Sequence, residues 1–384
     1  MTIGINLLYL LPSIVGGTET YAAGLLRGLA CVAREHRFVL FLNQESSGWP
    51  VPDGLQCQRV VCPVQAVRRG NRYAFEQSRL PGLLREAGID ILHSLGYNAP
   101  LFPGRPSVVT IPDLNFRAYD MPWIRRSVLD FFVRQSARRA NAVIAISEFT
   151  RSEIVRVFGL KPEKVTAIYL AGQGAPQVSG AALEAAAVPL PGLMGKPYIL
   201  AFSSVTPNKN IPNLLRACAL LRERGNLPFR LVLVGHLLPG GILETHIKEL
   251  KLDGEVLFTG YVERPQLNTL LRGARMLVFP SYYEGFGLPI LEAMEMGLPV
   301  VCSNRGSLPE VAAGAACYFD PFSVDSMAAT ILHVVQDEAL LASLRERGRE
   351  NLKRFSWEAT ARKTLDVYHH VLGGAVKGTI SHSS

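Results

Sequence analysis

The sequence holds 384 residues, 48% of them apolar and 19% charged, with a net charge of +8, which suits two packed domains and excludes global disorder. No apolar run reaches the roughly 18–20 residues that span a bilayer. The early apolar stretch from Ile3 to Val15 has neither a basic flank nor a small-residue cleavage site, so no signal peptide is expected.

In chain order, Ile3–Leu10 reads as a strand, Thr18–Ala33 as an amphipathic helix and Arg37–Leu42 as a second strand. Ile89–His93, Ser107–Ile111, Ala142–Ile146 and Lys164–Ile168 follow as strands, with helical stretches at 76–87, 123–139 and 148–158. Strands apolar almost throughout, each followed by a helix, predict a parallel sheet covered on both faces. A segment rich in Ala, Gly and Pro then reads as a linker over 176–197. A second series runs through Tyr198–Ser203, Phe229–Gly235, Val256–Gly260, Met276–Pro280 and Pro299–Ser303, and Val324–Leu372 is helical by period. The expected division is therefore 1–175, the linker, a domain over 198–355, and a last helix in 356–384 packing back on the first domain. Two such halves predict a crevice facing the carboxyl ends of both sheets, where ligands of doubly wound folds sit.

Charge is uneven along the chain. Residues 1–180 hold 20 Lys and Arg against 13 Asp and Glu, the rest 20 against 19. A one-sided basic balance implies an anionic partner: nucleic acid, a membrane surface or a phosphorylated substrate. The six cysteines form no CxxC pair, which fits reduced thiols of a cytosolic enzyme.

The most informative stretch is Ser281-Tyr-Tyr-Glu284-Gly285-Phe286-Gly287-Leu288-Pro289, continuing to Glu292. A glycine-punctuated loop after a strand, with Pro289 in the first turn of a helix, presents free N–H groups that suit a diphosphate or sugar hydroxyls. Glu284 and Glu292 can each accept hydrogen bonds from vicinal hydroxyls, or merely favour the helix dipole. Lys209, in the loop after strand 198–203, stands where a helix start would disfavour a cation unless an anion is bound. Gly16 and Gly17 follow the first strand and allow backbone amides to approach a ligand closely, or form a bare turn.

This Glu-x7-Glu frame, with Lys209-Asn210 and the Gly16-Gly17-Thr-Glu19 turn, resembles glycosyltransferase family 4, the retaining nucleotide-sugar transferases of GT-B architecture. Weaker pieces of the resemblance are Asp90-Ile-Leu-His93-Ser94, Thr110-Ile-Pro112-Asp113, Gly260-Tyr261-Val262 and Phe355-Ser-Trp357-Glu358. The resemblance implies two Rossmann-like domains, with Glu284 on the donor hexose, Glu292 on its ribose and Lys209 on the leaving diphosphate. It places Ser203, Ser204, Tyr261, Val262 and the 285–288 loop at the donor, and it needs no cofactor and no metal. Asp113 and His93 are the catalytic candidates of the first domain. Two features depart from the pattern. Pro112 stands where many members have a histidine, leaving His93 to fill that role or to be a satisfied strand-end residue. The loop also lacks a second phosphate-binding arginine, for which Arg264 is a distant substitute.

The expected activity is hexosyl transfer, mannose or similar, to a saccharide or lipid-linked acceptor, in the cytoplasm or peripherally on the inner membrane face, without nucleic acid. Alternatives are a non-catalytic nucleotide-sugar-binding module and a sugar-nucleotide epimerase. The stretch from Trp123 through Arg125, Arg126, Phe131, Phe132, Arg138 and Arg139 either lies on an anionic leaflet or packs its apolar face on the sheet. Arg68-Arg69-Gly-Asn-Arg72-Tyr73 reads as a basic-aromatic site for a phosphorylated acceptor or as a solvated loop.

Overall fold

The computed structural model describes residues 1–12, 14, 16–117, 122–174, 196–204, 206–235 and 241–380, with side chains through residue 373. The segment expected as a linker lies almost wholly outside these residues. The chain divides into two compact units, Met1–Ala171 with Phe355–Ser384, and Gly172–Arg354.

Unit 1 is built on seven parallel strands: β1 (Thr2–Asn6), β2 (Arg37–Leu42), β3 (Cys57–Val61), β4 (Ile91–Ser94), β5 (Ser107–Ile111), β6 (Ala142–Ala145) and β7 (Val165–Ala167). Their order is β3-β2-β1-β4-β5-β6-β7, so the winding reverses between β1 and β4. Helices α1 (Gly17–Val32), α2 (Arg69–Ser78), α3 (Leu80–Glu86), α4 (Trp123–Arg139) and α5 (Glu148–Phe158) make the crossovers. The central strands are buried along nearly their whole length, as a sheet covered on both faces requires. The C-terminal helix Trp357–Ile380 packs along α1. Gly24 and Gly28 permit this, because a Cβ at either would lie 2.1 Å from Trp357.

Unit 2 repeats the plan with β8 (Tyr198–Ser203), β9 (Arg230–Gly235), β10 (Val256–Gly260), β11 (Leu277–Phe279), β12 (Val300–Ser303) and β13 (Ala316–Phe319). The order β10-β9-β8-β11-β12-β13 reverses between β8 and β11, and every pairing is parallel. Its core joins Ile199, Leu214, Phe229, Leu233, Val278, Val301 and Ile331.

Several expected elements differ. The first strand stops at Asn6, because Asn43 Nδ2 takes the Leu8 and Leu10 carbonyls at 3.0 and 2.7 Å and bends 7–10 into a buried turn. The helix expected at 76–87 is two, α2 beginning earlier and α3 carrying Pro81 in its first turn, where the missing N–H costs nothing. The tail 324–372 is three helices, Val324–Gln336, Glu338–Leu352 and Trp357–Ile380. Asp337 divides the first two by accepting the Leu340 N–H at 2.8 Å. All six cysteines are free: Cys62, Cys218 and Cys302 are buried, Cys57 and Cys317 half-buried, and Cys31 exposed.

Candidate functional site: a Lys–Glu cluster where the second sheet reverses

Lys209 and Glu284 sit on the loops that leave β8 and β11, the two strands flanking the reversal of the second sheet. After β8 the chain makes one 3-10 turn, Pro207–Lys209, and then Asn210 adopts a left-handed φ of 55°, which asparagine tolerates better than most residues. Its side chain donates to Pro280 O at 3.0 Å and Pro321 O at 2.9 Å. That ties the lysine loop to the glutamate loop. Lys209 Nζ reaches Glu284 Oε1 at 2.8 Å and lies 4.7 Å from the Phe279 ring centroid. Asn208 Nδ2 adds bonds to Tyr283 O at 3.1 Å and Glu284 Oε1 at 3.3 Å. Both members of the Lys209–Glu284 pair are mostly buried, with some exposure left to each.

The glutamate loop is held from below. Ser307 Oγ lies 2.9 Å from Glu284 O and 2.8 Å from Phe286 O, sharing one proton between two carbonyls. Gly287 caps the helix Leu288–Glu295 at φ 105°, and a Cβ there would lie 2.8 Å from Leu308. Glycine is therefore required on both counts. The helix N-terminus, with Pro289 in its first turn, adds the positive end of a dipole, although the Ile290 N–H is taken by Gly287 O at 2.9 Å. Phe286 is buried, so its ring packs inward and only its backbone borders the loop.

Glu292, on the same helix, accepts from Arg264 Nη1 at 2.7 Å. Arg264 opens the helix Arg264–Gly273, which Glu263 and Gln266 cap reciprocally. The arginine proposed as a distant phosphate clamp thus pairs with the carboxylate expected on the ribose. Tyr261 is exposed and Val262 half-buried in the turn after β10. Ser203 is buried at the end of β8, and Ser204 Oγ lies 3.0 Å from Thr206 Oγ1. Glu295, one turn beyond Glu292, accepts from Gly174 N at 2.9 Å; burial raises its carboxyl above the usual range.

Unit 1 places its candidates differently. Gly16 is the N-cap of α1 at φ 54°, and its carbonyl accepts from the N–H groups of Glu19 and Thr20 at 3.0 and 3.1 Å. Gly17 is the first residue of that helix. Asp113 Oδ1 accepts from Asn115 N at 2.9 Å and so caps the turn after Pro112. His93 corrects the expectation that it reaches a donor sugar. It is wholly buried, with Nδ1 2.6 Å from Tyr368 Oη and Nε2 2.8 Å from Thr110 Oγ1. Burial lowers its pKa to about 3, so the ring is neutral and both nitrogens are spent inside the fold.

A family model described as glycosyl transferases group 1 matches residues 190–351, and one described as a glycosyl transferase 4-like domain matches 16–171. O-antigen chain mannosyltransferase B of Escherichia coli is 34% identical over 263 residues, an alignment covering 68% of this chain and 68% of that protein. The chain belongs to the group 1 glycosyl transferases. A further relative, the MMP alpha-(1->4)-mannosyltransferase of Mycolicibacterium hassiacum, is 30% identical over 243 residues, 62% of this chain and 56% of that protein. Among solved structures, a sucrose-phosphate synthase from Thermosynechococcus elongatus superposes with a TM-score of 0.78 at 20% identity, over 97% of this chain and 100% of that one. At that identity the likeness speaks for the fold, which is GT-B.

The family frame accounts for the residues that sequence reasoning singled out on unit 2. The roles of Asn210 and Ser307 as ties between loops are seen only in the geometry.

Proposed function

We propose that this glycosyl transferase is a retaining, metal-independent hexosyltransferase. Mannose or a similar hexose moves from a nucleotide diphosphate sugar to a saccharide or lipid-linked hydroxyl, in synthesis of a cell-surface polysaccharide. The mannosyltransferase relatives support the sugar and the setting. The observation that carries the chemistry is Lys209 at 2.8 Å from Glu284, beside the N-terminus of the helix Leu288–Glu295. A diphosphate draws Lys209 away from Glu284, which frees that carboxylate to accept from sugar hydroxyls. Lys209 and the helix N–H groups then meet the charge that grows as the anomeric carbon–oxygen bond breaks. The acceptor oxygen forms the new bond on the face the diphosphate leaves, and its proton passes to the departing phosphate. Glu292 receives the ribose once Arg264 yields.

The test is transfer from nucleotide-mannose donors to methyl α-mannopyranoside in excess EDTA, with the product's anomeric carbon–proton coupling read by NMR. Retained configuration and full activity in EDTA are expected. Inversion overturns the retaining mechanism, and activity restored only by magnesium or manganese overturns metal independence. A new sugar still attached to nucleotide favours the epimerase.

A second observation bears on location. The first half of α4 stands out from unit 1, with Trp123 70%, Ile124 60% and Phe131 53% exposed beside Arg125 and Arg126. Only Val133, Ser136 and Ala137 of this helix are buried. Apolar wedges flanked by arginines suit an acidic lipid surface at the cytoplasmic face, where each basic side chain contributes about 1 kcal/mol. Co-sedimentation with acidic but not neutral vesicles, lost in Arg125→Gln/Arg126→Gln, is the expected result. Equal sedimentation with both kinds overturns peripheral attachment.

A further inference from the structure

We propose that Arg72 and Glu76, buried where the first sheet reverses, form a site that grips a hydroxyl of the acceptor sugar. The inference rests on the transfer reading and gives the acceptor a place on unit 1.

The buried stripe of α2 and α3 runs Arg72, Glu76, Leu80, Leu84, at four-residue spacing. Two charged residues thus occupy positions where a helix packing on a sheet ordinarily carries apolar ones. Glu76 is 2% exposed and Arg72 8%. They meet the sheet at its switch point. Asn6 ends β1, Ser94 ends β4, the two are register partners, and Asn6 Nδ2 donates to Ser94 Oγ at 3.2 Å. Burial pushes the Glu76 carboxyl up to about 7, while Arg72 and a hydrogen bond from Asn6 pull it back. The three side chains therefore share one location, on the edge of the sheet where ligands of doubly wound folds bind.

The bonding of this cluster is incomplete. Glu76 Oε2 and Arg72 Nε have no hydrogen-bond partner among the described residues. A buried donor or acceptor left unmade costs about 1–3 kcal/mol. One unspent donor and one unspent acceptor, four residues apart on one helix face, match a hydroxyl, which both gives and accepts a hydrogen bond. The surroundings are aromatic and pre-arranged. The Arg72 guanidinium lies 4.9 Å from the Tyr73 ring centroid. The Tyr9 phenol, which also feels the charge of Arg72, donates to Thr18 O at 3.1 Å. Gly96 makes room for that tyrosine, since a Cβ there would lie 2.3 Å from its ring.

Neighbouring chemistry argues for a neutral ligand. A phosphate, an array of acceptors, would be served by Arg72 but not by the unspent oxygen of Glu76. No group of three metal-binding side chains occurs among the described residues, and Glu76 alone does not hold a cation. A sugar brings hydroxyls that can serve the two unspent groups.

Saturation-transfer NMR on the full chain without donor tests this, using methyl α-mannopyranoside and, separately, mannose 6-phosphate. The wild type is expected to saturate methyl α-mannopyranoside, and Glu76→Gln and Arg72→Gln to weaken that signal by about fivefold or more, as loss of one hydrogen bond predicts. Thermal shifts with nucleoside diphosphates should stay unchanged in both variants. Glu76→Asp keeps the charge but withdraws it by one methylene, so it should also lose the signal while the fold holds. No signal from the wild type, normal signal from folded Glu76→Asp, or stronger saturation of mannose 6-phosphate than of the neutral sugar overturns the proposal. A wild type that shows no shift with any nucleoside diphosphate fails the transfer reading instead, whatever the mannoside does.

Discussion

Both sheets carry polar side chains at the place where their strand order reverses or beside it, and the two sets are satisfied in different ways. At the second sheet Lys209 pairs with Glu284, and Arg264 with Glu292, on loops and helix starts with some exposure left. In the proposed function each pair exchanges its partner for the charges and hydroxyls of a nucleotide sugar. In the first unit, Tyr21 Oη lies 3.0 Å from Thr110 Oγ1, Thr110 meets His93, and His93 meets Tyr368. That chain is closed, buried and has nothing to exchange. A polar group near a ligand edge serves chemistry where its partner can be given up, and serves the fold where it cannot.

The sharpest way to break this contrast is to cut one member from each set. Lys209→Ala should lower transfer by about 10²–10³, the usual cost of losing one charge-stabilising donor in a site, with a thermal midpoint close to the wild type. Comparable loss of folding stability would place Lys209 with the structural set. Glu284→Gln should lose most transfer yet hold nucleoside diphosphate affinity nearly constant, measured by calorimetry, because its proposed contact is to the sugar. Equal loss of both would erase that division.

His93→Phe should do the reverse, leaving turnover per folded molecule unchanged while costing about 1–3 kcal/mol for each buried hydroxyl left unpaired, read by urea unfolding. Turnover that falls with stability intact would return His93 to the catalytic set. The pH dependence sharpens the same point. His93 takes a proton near 6.5 when unfolded but only near 3 when folded. Between those values the unfolded state binds more protons, so stability falls as pH drops from 6.5 toward 3. His93→Gln should flatten that fall, and an unchanged slope would count against the buried neutral ring. The smallest effect belongs to Arg264→Gln. A part-exposed ion pair contributes about 0.2–1 kcal/mol, so nucleotide affinity should change by roughly fivefold at most.

Much of this arrangement was legible in the sequence, and the exceptions have physical reasons. The strands buried on both faces announced themselves as apolar runs, but the edge strands β3 and β13 did not. β3 reads Cys-Gln-Arg-Val-Val and exposes Gln58, Arg59 and Val61. Lys209 and Glu284 were visible because loop glycines and prolines frame them. His93 was misplaced because its decisive neighbour, Tyr368, lies 275 residues away on another element, and no local spacing reports such a contact. The signal for Glu76 was present in the four-residue stripe with Leu80 and Leu84. It was passed over because Arg68, Arg69 and Arg72 were read together as one basic loop.

The seating of Trp357 against Gly24 and Gly28 has a consequence for how the protein comes off the ribosome. The sheet of unit 1 is complete once Ala167 has emerged, yet the face of α1 that takes Trp357 and Ala361 stays uncovered until the C-terminal helix follows. Some 180 residues of unit 2 must be synthesised first, and domains generally fold as they emerge. The first unit to appear is therefore the last to be finished. Its closing contact bridges most of the chain, which makes it a slow step and leaves an apolar helix face for chaperones to shield in the interval.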